Sequence, residues 1–213
     1  MNEYIDIYCE RLNPGLWAEP LNAVTNASFI IAGIFALMLA RQERALNWRS
    51  GSLIALIFAI GIGSTLFHTF ATFWAMLSDV LPILFFQIVF IALYTNQIIR
   101  MHWAKTIGLL ALFFIAMQGA MQLPREWLNG SLEYAPALLF VAGLGLYQLK
   151  NGVRERYGLL LAAGIFVISV TFRSIDMALC ETWPRGTHFL WHSLNGVVLY
   201  LSARSYILNA PKL

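Results

Sequence analysis

Apolar stretches of about 20 residues, the length an α-helix needs to cross a hydrocarbon core, recur along nearly the whole chain. Reading for them gives seven: roughly residues 22–40, 52–70, 79–99, 104–122, 132–149, 157–179 and 187–207. In hydrocarbon every backbone N–H and C=O must be paired within its own segment, so runs of this kind fold as helices. The connections are too short for a second domain. Composition agrees: of the 213 residues 59% are hydrophobic and 12% charged, against roughly a quarter charged in a soluble domain, and mean hydropathy is +0.67. The expected fold is all-α, a single integral membrane bundle of seven transmembrane helices over 1–213. Residues 1–20 form an N-terminal arm, polar and acidic (Glu3, Asp6, Glu10, Glu19) where a signal peptide would be basic and then apolar.

Orientation follows from Lys and Arg, which cytoplasmic loops retain. Arg41, Arg44 and Arg49, then Arg100 and Lys105, then Lys150, Arg154 and Arg156, and finally Arg204 and Lys212 all fall on one side. The other side has only Arg11, Arg125 and Arg185, while Arg173 lies within the sixth segment. The expected topology is N-terminus outside, C-terminus cytoplasmic. The net charge of +3 is thereby explained by topology and implies no nucleic-acid partner.

Against this apolar background, His68, His188, His192, Asp79 and Asp176 stand out, because ionisable groups at such depth are costly unless paired or functional. Placed on the topology, His68 and Ser64 fall near the outer end of the second helix, Asp79 in the first outer turn of the third, Asp176 near the exit of the sixth, and His188 and His192 at the start of the seventh. All six share one depth. His188 and His192 are four residues apart, so on a helix they project from one face about 6 Å apart along the axis. With His68 from another helix they would make a three-ligand zinc site whose open fourth position lowers the pKa of a bound water to about 7. Asp79 would serve that water as general base, or accept a hydrogen bond from an imidazole N–H. Ser64 would donate to a developing oxyanion.

Each residue taken singly has a plainer reading. A lone membrane histidine often bonds a neighbouring helix, and a His-xxx-His pair also ligates haem or lines a proton path. Ser64 in Gly-Ile-Gly-Ser reads as a small packing residue, Asp176 as an i, i+3 ion pair with Arg173, and His102 as an ordinary loop residue. Coincidence of depth favours the joint site. The alternative from another class is a non-enzymatic seven-helix protein, receptor-like, haem-ligating or proton-conducting.

Together the residues resemble the alkaline ceramidases, within a wider superfamily of seven-helix membrane hydrolases that includes the progestin and adiponectin receptor-like proteins. The resemblance rests on Tyr8-Cys9-Glu10, Ala18-Glu19 through Asn22 and Asn26, Gly63-Ser64-xxx-His68, Asp79, Asp176 with Cys180, and His188-xxx-His192. It implies zinc on His68, His188 and His192, catalytic roles for Asp79 and Ser64, a supporting role for Asp176, and hydrolysis of the amide bond of ceramide or a related N-acyl lipid. Cys9 and Cys180 both fall on the outer side, where disulfides persist. The residues alone leave a bridge or two thiols open, and the resemblance points to the bridge. It also implies an N-terminal calcium site. At its positions stand Glu10, Asn13 and Glu19, with Ile7 replacing one carboxylate, so the chain departs from the pattern by a charged oxygen ligand. The expected partner is a membrane lipid entering sideways from the outer leaflet, with no protein partner implied. Trp17, Trp74, Trp127, Trp183 and Trp191 fall near the outer boundary as an interfacial belt. The short loops point to a bacterial inner membrane, with the site toward the periplasmic side.

Overall fold

The computed structural model describes residues 4–211; Glu3 and Lys212, used above, lie outside the described residues. Among the described residues the chain is all-helical, with a lone bridge between Tyr4 and Thr72. Eight α-helices follow the arm among the described residues: α1 (Pro20–Thr25), α2 (Ala27–Gln42), α3 (Trp48–Phe70), α4 (Phe73–Leu93), α5 (Trp103–Met121), α6 (Ala135–Lys150), α7 (Gly158–Ile175) and α8 (His188–Asn209). Asn26 separates α1 from α2, which together make the first span, Pro20–Gln42.

Among the described residues, six spans are long and apolar enough to cross a membrane. The seventh expected one, α8, has 22 residues, hence about 33 Å of length, but its histidines, serines, Asn195 and Arg204 dilute its hydropathy. It is the helix that other helices surround, packing on α2 and α7 and touching α3 and α4. The polar residues therefore sit on the helix best shielded from lipid. Outward-facing apolar residues such as Ile31, Ile34, Phe35, Ile115 and Leu139 are exposed, as lipid contact requires. The main core, around Ile57, Phe86, Phe90, Tyr94 and Tyr206, fills the end of the bundle opposite the arm. At that end Arg154 binds Glu43 through two hydrogen bonds of 2.8 and 3.0 Å, and Arg204 pairs with Glu155. Two of the basic loops thus meet at one end.

Two expectations change. The third span begins at Phe73, not 79, because Thr72 is extended and starts the helix; Asp79 therefore sits in its second turn. Trp191 is not part of a belt: it is 6% exposed, whereas Trp17, Trp74, Trp127 and Trp183 are all above 40%. It packs between Tyr134 and Phe166 inside the bundle.

Candidate metal centre

The approach of α3 to α4 sets the first half of the site. Pro82 has no N–H to give the carbonyl of Ser78, four residues earlier. Gly63 packs against that carbonyl so closely that an added Cβ would lie 1.9 Å from its oxygen. This contact aligns the next residue on each helix. Ser64 is 2% exposed and stands beside Asp79 on the wall of one cavity. His68 follows Ser64 by one turn, just before α3 ends at Ala71 in the left-handed region.

Asp176 sets the other half. Its Oδ1 accepts from the backbone N–H of Thr187 (2.7 Å) and His188 (2.9 Å), and its Oδ2 from that of Cys9 (3.1 Å). A carboxylate at the start of α8 satisfies donors that have no partner within the helix and favours the dipole. Asp176 thus fixes where His188 begins the helix. Gly186, at φ +60°, leaves room for it, since a Cβ there would come 2.1 Å from Oδ1. The ion pair with Arg173 is not formed: Arg173 binds Asn129 O, Ser131 Oγ and Glu133, and so pins the turn in which Leu128, Asn129 and Gly130 all have positive φ.

These two halves bring His68, His188 and His192 together, each no more than 2% exposed, with one ligand nitrogen from each ring all within 4.8 Å of one another. The nitrogens are prepared for a cation. His68 Nδ1 is bonded to Glu19 at 2.5 Å, and its Nε2 is buried with no partner. His192 Nδ1 meets Thr25 Oγ1 at 3.2 Å; that hydroxyl already donates to Leu21 O, so the ring donates to it and keeps Nε2 as a lone pair. His188 Nδ1 is buried without a partner, and its ring stacks on Tyr8 with centroids 3.8 Å apart. Three buried imidazoles whose remaining nitrogens have no hydrogen-bond partner fit a metal ion of the kind that imidazole holds.

The N-terminal arm closes over this cluster. Cys9 is joined to Cys180 by a disulfide, with Cα atoms 5.4 Å apart. Ile5 N–H donates to Ala71 O at 2.8 Å. Arg11 is buried, pairs through Nε with Glu19, and donates from Nη2 to His68 O at 2.8 Å. Burial alone would raise the Glu19 carboxyl, but the hydrogen bond from His68, with hydrogen bonds from Asn22 and Arg11, holds it below its ordinary value. Glu19 therefore accepts the imidazole N–H, a part that sequence reasoning offered to Asp79. The sequence marked Glu19 as an acid of the arm and, by resemblance, as a calcium-type donor, not as the partner of His68.

The calcium-type donors are occupied by protein partners. Glu10 caps α1 by accepting from Leu21 N and Asn22 N at 2.8 Å each. Asn13 is exposed and accepts from Gly15 N, and Glu19 holds Arg11 and His68. Among the described residues, the three histidines form the group that could take a metal.

Beside the cluster opens a cavity of about 570 Å³, walled by Ser64, Asp79, His188 and His192 at one end and by Phe86, Phe90, Phe113, Leu144 and Leu199 further in. Its mouth carries Arg125, Asn129, Glu133 and Arg173. Asn195, which the sequence reading passed over, also lines it.

No curated protein matches the chain significantly. The sequence model of the ceramidase family matches residues 8–208, from Tyr8 of the arm to the last turn of α8. With nearly its whole length matched, the chain belongs to the ceramidase family.

Proposed function

We propose that the protein is a zinc-dependent intramembrane hydrolase that cleaves the amide bond of ceramide or a related N-acyl lipid to a fatty acid and an amine. One observation carries the reading: three buried imidazoles with free nitrogens lie beside the Ser64–Asp79 pair at the head of an apolar cavity. His68, His188 and His192 would hold the zinc. When bound, the ion polarises the amide carbonyl and makes a water acidic enough to ionise near neutral pH.

The chain's own residues do the rest. The cavity takes the acyl chain and excludes bulk water. Asp79 accepts a proton from the attacking water and returns it to the nitrogen as the C–N bond breaks, so the amine leaves neutral. Ser64 donates its hydroxyl to the oxygen on which charge accumulates. Glu19 holds His68 in the tautomer that presents Nε2, and Thr25 does the same for His192.

The Lys and Arg distribution supports seven spans with the N-terminus outside and the C-terminus cytoplasmic. The site then opens at the outer leaflet, on the periplasmic side of a bacterial inner membrane. The lipid enters sideways by α5, the least buried of the six spans.

The test is metal content and fatty-acid release on one preparation. Wild type should carry one zinc per chain, lost with activity in His68→Ala, His188→Ala and His192→Ala. Asp79→Asn should keep its zinc and lose about 10²- to 10⁴-fold in kcat. A haem absorption band, or zinc with no turnover of any N-acyl lipid, would instead support the haem-ligating or receptor-like reading.

A further inference from the structure

The cavity follows α8 from His188 to Ser202, about 21 Å at 1.5 Å per residue. His188, His192 and Asn195 are spaced i, i+4, i+7 and so share one helix face. Asn195 therefore lies roughly one turn further into the bundle than the histidine pair. It is 9% exposed, lines the cavity, and its side-chain amide has no hydrogen-bond partner among the described residues.

The serines along α8 have partners. Ser193 donates to Phe189 O at 2.9 Å, Ser202 to Val198 O at 2.8 Å, and Ser28 of α2 to His192 O at 2.9 Å. Asn195 has no such outlet. An unpaired amide inside an apolar bundle is costly, and a leucine of similar size would pack without that cost. Gln87 and Gln118 also face the cavity but are more exposed.

The distribution of polarity says which part of a lipid reaches Asn195. The charged and amide side chains Arg125, Asn129, Glu133 and Arg173 are at the mouth, and the deep wall is mainly aromatic and aliphatic, with Gln87 and Ser202 as its other polar members beside Asn195. The amine portion of the substrate belongs at the mouth and the acyl chain in the depth. With the scissile carbonyl at the histidines, Asn195 meets the acyl chain within a few bonds of that carbonyl. A side-chain amide offers both a donor and an acceptor, and a hydroxyl uses both. A plain hydrocarbon chain uses neither.

We propose that Asn195 recognises a hydroxyl on the acyl chain close to the carbonyl, so that the preferred substrates are N-(2- or 3-hydroxyacyl) lipids. This rests on the hydrolase reading above and narrows its substrate class. A site built to hydrogen-bond a substrate hydroxyl discriminates strongly against the analogue without it, because its own polar group is then left unpaired.

The test uses full-length protein in detergent with N-acyl lipids that differ only in a hydroxyl at acyl carbon 2 or 3. Both lipid-induced shift in Tm and kcat/KM for fatty-acid release are read. Wild type should be stabilised more by a hydroxylated lipid and cleave it about tenfold faster or more. In Asn195→Leu that ratio should collapse toward one, while the Tm without lipid rises by a few degrees as the unpaired amide is removed. A merely structural role would lower both substrates together. Equal treatment of the lipids by wild type in both readouts, or an undiminished preference in Asn195→Leu, overturns the proposal. Should the leucine variant not fold, Asn195→Ala, which also removes donor and acceptor, serves the same comparison under the same criteria. If no amide is cleaved, yet a hydroxylated lipid selectively raises the Tm of wild type and not of the variant, Asn195 keeps its role and the hydrolase reading fails instead.

Discussion

Glu19→Gln separates orientation of a metal ligand from the stability of the arm. Its carboxylate receives Arg11 Nε, Asn22 Nδ2 and His68 Nδ1, all donors, with the Glu19 and Arg11 side chains only 3% and 1% exposed. Glutamine replaces one acceptor oxygen by an NH₂ group, so at least one donor must face another donor. His68 can escape by changing tautomer: its Nδ1 becomes the acceptor and its proton moves to Nε2, the nitrogen that must ligate. Loss of such an outer hydrogen bond costs about 10- to 100-fold in metal affinity, or about 1.4–2.8 kcal/mol. Separately, Arg11 is left buried without a counterion, which costs about 3–5 kcal/mol of stability. The larger effect is therefore on folding, and the smaller on metal. Thermal unfolding reads the first, and competition for zinc with a coloured chelator reads the second. Adding Arg11→Met to Glu19→Gln should restore most of the stability but none of the affinity. Wild-type zinc affinity in Glu19→Gln would refute the assignment of Glu19 to His68.

Further expectations follow from contacts on either side of the cluster. Gly63→Ala puts a methyl 1.9 Å from the Ser78 carbonyl. It should cost about 1–3 kcal/mol or more and part Ser64 from Asp79, so hydrolysis falls while zinc measured by mass spectrometry of the metal stays near one per chain. Gly186→Ala meets both an unfavourable φ of +60° and the Asp176 carboxylate; about 2–4 kcal/mol should be lost, seen as a lowered Tm, with zinc affinity falling because His188 loses its helix start. At the opposite end, the hydrogen bond from Arg204 holds the Glu155 carboxyl below its ordinary value of 4.5. A pKa lowered by folding gives stability that is present above the unfolded value and lost as pH falls through the folded one. Wild type should thus lose slightly more Tm than Glu155→Gln between about pH 7 and about pH 3, an effect below about 1 kcal/mol for so exposed a pair.

The helices were legible in the sequence because the hydrocarbon rule is local: each span must pair its own backbone, and length and apolarity reveal it. The convergence of His68, His188 and His192 was legible for a related reason, since helical period and crossing direction convert residue number into depth. What escaped has no period. Glu19 and Arg11 belong to an irregular arm, and the contact of Glu19 with His68 spans 49 residues of sequence. Taken singly, Asp176 looked like a partner for Arg173 because spacing on a helix places them together. In fact α7 ends at Ile175, so Asp176 points to the next helix instead. The start of α4 was displaced because Asp79 itself depresses the local hydropathy, although Phe73, Trp74, Ala75 and Met76 before it are apolar. Asn195 was passed over as one polar residue in a long apolar run, and only the cavity beside it gives it meaning.

The disulfide and the bonds to Asp176 join residues 171 and 167 positions apart. A ribosome adding about 5–20 residues per second therefore takes roughly 9–34 s between finishing the arm and supplying what the arm docks on. During that interval α3 already carries His68 into the bilayer, but its two partner histidines have not yet been translated. Helix α8, made after the seven helices before it, both completes the histidine cluster and anchors the arm made ahead of them, so a nascent chain that stops short of α8 holds only His68 of the three.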